Sequence, residues 1–370
     1  MGTKPLRVAI IGTRGYPSYY GGFETAVRRI APAFADQGWD VTVYGRPGST
    51  KPDDPANDPR VKPVETKGLN RNALSTLTYG LTAVLHAIAK RQQVALIMNV
   101  ANGYWLPLLK LFRIPTVVNV DGIEWERAKW SKLGKRVFYT GAKLTARFAD
   151  ELIFDAEAIG DYWAREFNRT GTFIPYGGDE VGRLPCPDMV RSGEYVLVVA
   201  RFVPENSVGE FFDAADELSR ENSVVVLGTG SPELEARARE LSERHEKFKW
   251  LGHVSNDQLL HGLWQHAGAY FHGHSVGGTN PALVQAMACG APIVARNTVY
   301  NAEVLAGAAT LVEPDPRQIA SAAASLLASA DRRLSVSRAV RARAAERYTW
   351  SEVVDLYIET VATTVRVSRD

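Results

Sequence analysis

Cysteine is nearly absent. Only Cys186 and Cys289 occur in 370 residues, which argues against a disulfide framework and fits a reducing cytoplasm. Neither belongs to a CxxC or Cys/His cluster, so the composition also argues against structural zinc. An excess of either charge is lacking: 43 Lys and Arg stand against 41 Asp and Glu, for a net charge of +2. That removes the global signature of a polyanion binder, and no nucleic-acid partner is expected. Long apolar runs are missing too. The most apolar windows, 94–100 and 195–200, fall far below membrane-spanning length. The opening MGTKPLRVAIIGTRG has Lys4 and Arg7 before an apolar run too short for a signal peptide, and it reads as a first strand. A cytoplasmic protein is expected, with any membrane contact made from the surface at the inner face. There is no short internal repeat and no low-complexity tract.

What remains is an ordinary globular composition, 45% hydrophobic and 23% charged, with enough length for two domains. Strand-like runs alternate with helical patterns. The order is strand 7–11, helix 22–37, strand 41–44, a Pro/Gly/Asp-rich loop 46–58, helix 74–91, strand 94–99, helix 104–112 and strand 115–120. A long helical region 124–150 and a strand 151–154 follow. The segment 174–187, with three glycines and three prolines, reads as a linker. The pattern then restarts: strand 195–200, helix 210–221, strand 223–227, helix 232–245, strand 249–251, helix 257–264 and strand 268–271. A helix from 281, a strand 292–295, a short strand 311–312, a helix 316–327 and a helical C-terminus from 332 complete the chain. This alternation predicts two doubly wound α/β domains, each a parallel sheet covered on both faces, with a ligand cleft between them.

The densest motif is FHGHSVGGTNPALVQAMACGAPIVARNTVYNAEVL at 271–305. It reads as strand, glycine loop, helix and buried strand. Gly277-Gly278 allow close approach to a ligand, and Pro281 suits the first helical turn. Free amides at that helix start, backed by the helix dipole, would form an anion site at the carboxyl end of a parallel strand.

Other strand ends carry further candidates. The first strand–helix turn, GTRGYPSYYGGFE at 12–24, is neither GxGxxG nor GxxxxGK[ST], so both nucleotide fingerprints fail. Its glycines nonetheless suit a loop that contacts a diphosphate or a sugar. Arg201 follows an apolar strand and can grip phosphate oxygens with its planar fork. Gly228-Thr229-Gly230 and Gly252-His253-Val254 follow the next two strands and can wall a nucleobase pocket. Asp121 and Glu124 follow strand 115–120. They can orient sugar hydroxyls or act as a base, and they also have the spacing of a capping box. His272 and His274 alternate at a strand end. With no third ligand nearby a metal is not expected, and one imidazole beside the phosphate is the favoured reading. Residues 126–147 carry Arg127, Lys129, Lys132, Lys135, Arg136, Lys143 and Arg147 with Trp130 and Phe138 interleaved. Such a segment can lie on an anionic bilayer or form a solvated helix face, and both readings stand.

Together, IGTRGYPSYYGGFET, NVDGIEWERAKW, FIPYGGD, ARFVPEN and HGHSVGGTNPALVQAMACGAPIVA resemble a retaining, nucleotide-sugar-dependent glycosyltransferase of the GT-B fold, in glycosyltransferase family four. They are most similar to the bacterial subgroup that includes β-1,4-rhamnosyltransferases of surface polysaccharide assembly. The resemblance implies two Rossmann-like domains facing a central cleft: 1–178 for the acceptor and 190–345 for the nucleotide-sugar donor. A C-terminal helix, 346–370, would return to the first. It implies a metal-independent, retaining hexosyltransferase without a cofactor. The donor would be dTDP-rhamnose or a UDP- or GDP-sugar, and the acceptor a saccharide, lipid-linked or small-molecule hydroxyl.

By the same resemblance Arg201 pairs with the donor diphosphate, and the backbone of Gly278, Thr279 and Asn280 binds the distal phosphate. Gly15, Gly21 and Gly22 close over the diphosphate, and Asp121 and Glu124 face the transferred sugar or the acceptor. Arg201, Asp121 and Glu124 are the expected catalytic residues; Asn206, Gly228, His253, His274 and Gln285 complete the expected donor site. Three positions depart from the broader family. Gly277 and Gln285 stand where it has two acids, and Asn206 stands where it has a lysine. Gln285 would then meet a ribose hydroxyl without charge. The rival readings are a non-catalytic nucleotide-sugar-binding protein of the same fold, motivated by those missing charges, and a sugar-nucleotide epimerase or phosphorylase.

Overall fold

The computed structural model describes residues 5–19, 21–69, 72–127 and 130–368, with the side chains of 72–74 left aside. Its contacts divide the chain into two units. The first is Met1–Pro175 together with Ser351–Asp370, and the second is Tyr176–Trp350.

The first unit contains β1 (Arg7–Ile11), α1 (Gly22–Asp36), β2 (Asp40–Gly45), β3 (Lys62–Glu65), α2 (Asn72–Ala89), β4 (Val94–Met98), α3 (Leu106–Leu111) and β5 (Thr116–Asn119). It continues with α4 (Lys132–Phe148), β6 (Glu151–Phe154), α5 (Glu157–Phe167) and β7 (Thr172–Phe173). These strands form one parallel sheet in the order β3-β2-β1-β4-β5-β6-β7. The register runs Val8 beside Val41 on one side and Val94 on the other. Burial on both faces explains why β1 and β4 are near-continuous apolar runs.

The second unit contains β8 (Tyr195–Val199), α6 (Val208–Leu218), β9 (Ser223–Leu227), α7 (Pro232–Arg244), β10 (Phe248–Trp250), α8 (Asp257–His266) and β11 (Ala269–His272). After these come α9 (Pro281–Cys289), β12 (Ile293–Arg296), α10 (Val299–Leu305), β13 (Thr310–Val312), α11 (Pro316–Ala328) and α12 (Ala330–Arg347). Its parallel sheet has the order β10-β9-β8-β11-β12-β13. Two apolar layers cover it. One packs Phe211, Phe212 and Ile319 on the α6 and α11 side, and the other packs Leu263, Leu283 and Met287 on the α8 and α9 side. The final helix, α13 (Trp350–Val367), belongs to the first unit from Ser351 onward. There Tyr357 accepts a 2.7 Å hydrogen bond from the Asn119 carboxamide at the end of β5.

Several local expectations are corrected. The helical region 124–150 is broken: a single 3-10 turn, Glu124–Glu126, is followed by irregular backbone. α4 then starts at Lys132, with Ser131 capping the Gly134 amide. The helix expected from 104 starts at Leu106, after a 3-10 turn Val100–Trp105. The C-terminal helical run is interrupted at Tyr348-Thr349, where Gly178 pairs alongside and donates its amide to the Tyr348 carbonyl at 2.7 Å. β3, α5, β7 and α10 were not anticipated.

Candidate functional site

Numbered from its own first strand, the second sheet has the order 3-2-1-4-5-6, and the first has the same order with a seventh strand added at the end. That order reverses direction between strands 1 and 4, and open α/β sheets bind ligands outside the carboxyl ends of the strands flanking the reversal. In the second unit those strands are β8 and β11. A cavity of about 330 Å³ lies there, lined by Arg201, Asn206, Gly228, His253, His272, His274 and Asn280 among others. Six of the expected donor residues thus share one wall. A larger cavity, about 740 Å³, lies in the first unit against Pro115, Glu151 and Thr172. It sits at the amino ends of the strands, the end opposite to where this fold class binds ligands.

The cavity rim is built by close backbone approaches. Gly228 has φ +132, and a Cβ there would stand 1.8 Å from the Ala200 carbonyl oxygen. Glycine is therefore required for β9's turn to pass beside the residue before Arg201. At Gly273 a Cβ would fall 2.3 Å from the Asn206 carbonyl oxygen, which brings the end of β11 against the turn 204–206. Asn206 joins the pieces. Its amide nitrogen donates to the Arg201 carbonyl at 2.8 Å, and its side-chain oxygen faces His274 Nδ1. That orientation places the proton on Nδ1 of His274, because the Asn206 oxygen can only accept. Arg201 is exposed, and among the described residues no hydrogen bond or ion pair holds its guanidinium. Asn206 is thus a buried brace rather than a substitute charge.

The α9 start differs from expectation. Gly278 and Thr279 are buried, and neither lines the cavity. The Asn280 side chain accepts from the amides of Ala282 and Leu283. This is an N-cap, so the chain itself satisfies two amides of the first turn of α9, which are not the Gly278, Thr279 and Asn280 amides expected at the phosphate. Gln285 is corrected as well. Its oxygen accepts from the Asp179 amide at 2.8 Å, and its nitrogen donates to the Asp179 carbonyl at 3.1 Å. With both ends of the carboxamide so engaged, it staples residue 179 to α9 and is not disposed toward a ribose.

His272 was read only as half of a histidine pair, and the structure gives it a place of its own. It is 4% exposed and lines the cavity. Burial, and secondly the neighbouring His274, lower its pKa to about 3, so the ring is neutral. Its Nδ1 lies 3.1 Å from the Tyr270 hydroxyl, and its Nε2 is buried without a partner among the described residues. Among the described residues no group of three or more His, Cys, Asp or Glu is placed to hold a metal ion.

In the first unit, Asp121 lies just beyond β5 in left-handed backbone, φ 59, with its amide donating to the Asn119 side chain at 3.0 Å. A non-glycine residue there is uncommon, though Asp tolerates it. It caps no helix; the cap of the 3-10 turn is Ile123. Glu124 is buried, with one oxygen 2.7 Å from Arg127 Nε and the other accepting from the Trp130 indole at 2.9 Å. It fastens the bend before α4. Gly15 is buried, and a Cβ would stand 3.0 Å from Thr50 Oγ1, so its lack of a side chain is used inside the unit. Gly21 is exposed and extended, φ −169, and Gly22 opens α1.

The basic segment divides. Lys132, Arg136, Lys143 and Arg147 are exposed at helical spacing on α4, with Leu133 72% exposed beside them. Arg127 is engaged with Glu124, and Lys129 lies outside the described residues. The aromatics turn inward: Phe138 is buried under Trp130, and Trp125 packs against Tyr139, Tyr162, Trp163 and Phe167. Among the described residues no helix is long and apolar enough to cross a membrane.

Comparison with known proteins agrees with this geometry. Residues 21–177 match the family model described as glycosyl transferase 4-like domain, and residues 193–329 the model described as glycosyl transferases group 1. No curated protein matches the chain in sequence. Solved structures match its fold over nearly the whole length. A sucrose-phosphate synthase from Thermosynechococcus elongatus is 17% identical with a TM-score of 0.78, covering 97% of this chain and 100% of that one. Anabaena HepE in complex with UDP-glucose is 15% identical with a TM-score of 0.75, covering 96% and 99%. An alpha,alpha-trehalose-phosphate synthase (UDP-forming) from Burkholderia vietnamiensis is 16% identical with a TM-score of 0.71, covering 96% and 100%. With two parallel-sheet α/β units on that fold, and the two matched domains in this order, the chain is a glycosyltransferase of GT-B type.

Proposed function

We propose that the chain is a retaining, metal-independent glycosyltransferase of family four, similar to the rhamnosyltransferase subgroup. It moves a sugar from a nucleotide diphosphate-sugar to a saccharide, lipid-linked or small-molecule hydroxyl. The observation that carries this reading is the cavity at the β8/β11 reversal, where the Arg201 guanidinium, unengaged among the described residues, stands with the neutral His272 ring and the side-chain amides of Asn206 and Asn280. Neighbours of the same fold solved with UDP-glucose, or described as UDP-forming, support a nucleotide-sugar donor. The donor candidates are dTDP-rhamnose and UDP- or GDP-sugars.

In this reading the bond between the anomeric carbon and the diphosphate oxygen breaks, and its electron pair leaves on the diphosphate. Arg201 and the dipole of α9 stabilise the charge that develops there, the kind of electrostatic assistance that supplies the largest share of many rate enhancements. The acceptor oxygen bonds to the same face of the oxocarbenium-like carbon and gives its proton to the departing phosphate oxygen. Asp121 is the first unit's candidate for orienting an acceptor hydroxyl. The exposed cations of α4 offer contact with an anionic bilayer at its cytoplasmic face.

The test is release of nucleoside diphosphate from a panel of sugar nucleotides. Wild-type protein should release it from one donor class, and Arg201→Ala should lose about 100-fold or more of that rate. Equal release by both proteins would take Arg201 out of the mechanism. Nucleotide binding without turnover across acceptors would favour the non-catalytic reading.

A further inference from the structure

The Tyr270–His272 pair deepens the donor-site reading and rests on it. Both residues lie on β11, two apart, so both side chains leave the same face of the sheet. The Tyr270 ring is fully buried, and a buried phenol must place its proton on an acceptor. Its neighbours decide where. The Trp264 indole packs edge-on to the phenol ring, and an indole nitrogen can only donate. His272 Nδ1, at 3.1 Å, is the hydroxyl's hydrogen-bond partner. If Nδ1 carried the ring proton, the phenol would lose its acceptor and Nε2 would keep an unused lone pair. With the proton on Nε2, the phenol is satisfied and, of the imidazole, only the Nε2–H is left over. The second arrangement leaves fewer buried polar groups unpaired.

The group left over is the Nε2–H of His272, which has no partner. The two ring nitrogens diverge across the imidazole. Nδ1 is turned toward Tyr270, and Nε2 lies on the other side of the ring, buried, in a residue that lines the cavity. An orphaned donor at that position calls for an explanation of its own. We infer that His272, oriented by Tyr270, donates a hydrogen bond from Nε2–H to an oxygen of the nucleotide bound in this cavity, and so helps decide which nucleotide is accepted. His272 is then a binding residue and Tyr270 a positioning residue. The neutral ring makes the donor a selector of hydrogen-bond geometry rather than of charge. Arg201 supplies the charge.

The oxygen belongs to a base carbonyl, a ribose hydroxyl or a phosphate, and the ligand series separates these. ¹⁵N-histidine-labelled protein is titrated with UDP, dTDP, GDP and ADP, then with the nucleoside and monophosphate of whichever binds best. Before ligand, the His272 signal should report a single tautomer protonated at Nε2. On binding, that N–H resonance should move, and the smallest ligand that moves it names the oxygen. By calorimetry His272→Phe should weaken the best nucleotide about tenfold. His272→Gln keeps an N–H donor and should recover part of the loss. Tyr270→Phe should cost about threefold and release His272 into a tautomer mixture.

An Nε2–H signal that stays still while a nucleotide binds, or equal affinity in wild type and His272→Phe, would assign the N–H to an ordered water and overturn the inference while leaving the transferase reading intact. Failure of every nucleotide to bind would overturn both. The labelled wild-type experiment decides the matter even if a variant folds poorly.

Discussion

The two units solve the same topology in opposite ways at the same place. In the first, the strand reversal between β1 and β4 is tightly packed by the chain itself. A Cβ on Gly12 would meet the Met98 carbonyl oxygen at 2.1 Å, and the buried Asn102 donates to that same carbonyl at 2.9 Å. The 3-10 turn Val100–Trp105 is packed in by two more close approaches. Cβ atoms on Gly80 and Gly103 would fall 2.1 Å from Asn102 Oδ1 and 2.2 Å from the Gly141 carbonyl oxygen. In the second unit, the equivalent reversal between β8 and β11 stays open as a cavity with Arg201 and His272 on its wall. Strand order specifies where a crevice can form. Whether it stays empty depends on the connection after the fourth strand. In the first unit that connection folds back as a compact turn, and in the second it runs out through Gly273 to the turn before α9.

Substitutions at the two reversals should therefore differ most. Gly12→Val places a branched side chain where φ is +100 and the backbone leaves no space. It should cost about 4 kcal/mol or more, read as a large drop in melting temperature or loss of soluble protein. Arg201→Ala should leave the melting temperature within about 2 °C while removing nucleotide stabilisation. If Gly12→Val proved harmless, the closed reversal would not be closed by packing.

A smaller effect follows from His272. Its folded pKa, lowered by burial and then by His274 to about 3, lies below the ordinary 6.5. Between those values the unfolded chain binds the extra proton, so stability is full above pH 6.5 and falls as pH drops toward 3. From pH 7 to pH 4.5 this group should remove roughly 2–3 kcal/mol. His272→Phe should lose stability more shallowly over that range in urea titrations. Parallel slopes for the two proteins would mean that the ring is hydrated and titrates freely.

The staple at Gln285 should be worth less. Gln285→Ala removes two hydrogen bonds to the Asp179 backbone and should lower the unfolding free energy from urea titration by about 1–2 kcal/mol. Least of all, Tyr357→Phe removes one buried hydrogen bond with Asn119 in the first unit. It should cost about 1 kcal/mol, with faster exchange of the Asp121 amide, which Asn119 also holds.

Sequence pattern located most of this fold because parallel strands buried on both faces are unmistakable. VALIM in β4 and SVVVL in β9 have no other reading. It missed β3, whose Lys62, Pro63 and Glu65 are exposed at the sheet's edge and carry no apolar signal. It merged the 124–150 region into one helix because the break depends on Glu124 gripping both Arg127 and Trp130, a tertiary arrangement of groups that are also compatible with helix. At the site, Arg201, Gly228, His253, His274 and Asn280 were recognisable from their place after strands, and Asn206 from the family resemblance. The apparent amide cradle was not readable as an Asn280 cap, since Asn can cap a helix or leave its amides to a ligand, and neighbouring space decides which.

Composition and order alone determined a two-unit, parallel α/β chain with its polar residues gathered after the strands, because burial of a sheet on both faces and the chirality of strand–helix–strand crossovers allow few other outcomes. Only the tertiary structure decided which of two equivalent crevices is open and which imidazole proton faces it. Those outcomes depend on distances of about an ångström between backbone atoms far apart in sequence, as Gly12 with Met98 and Gly273 with Asn206 make plain. No local pattern encodes such distances.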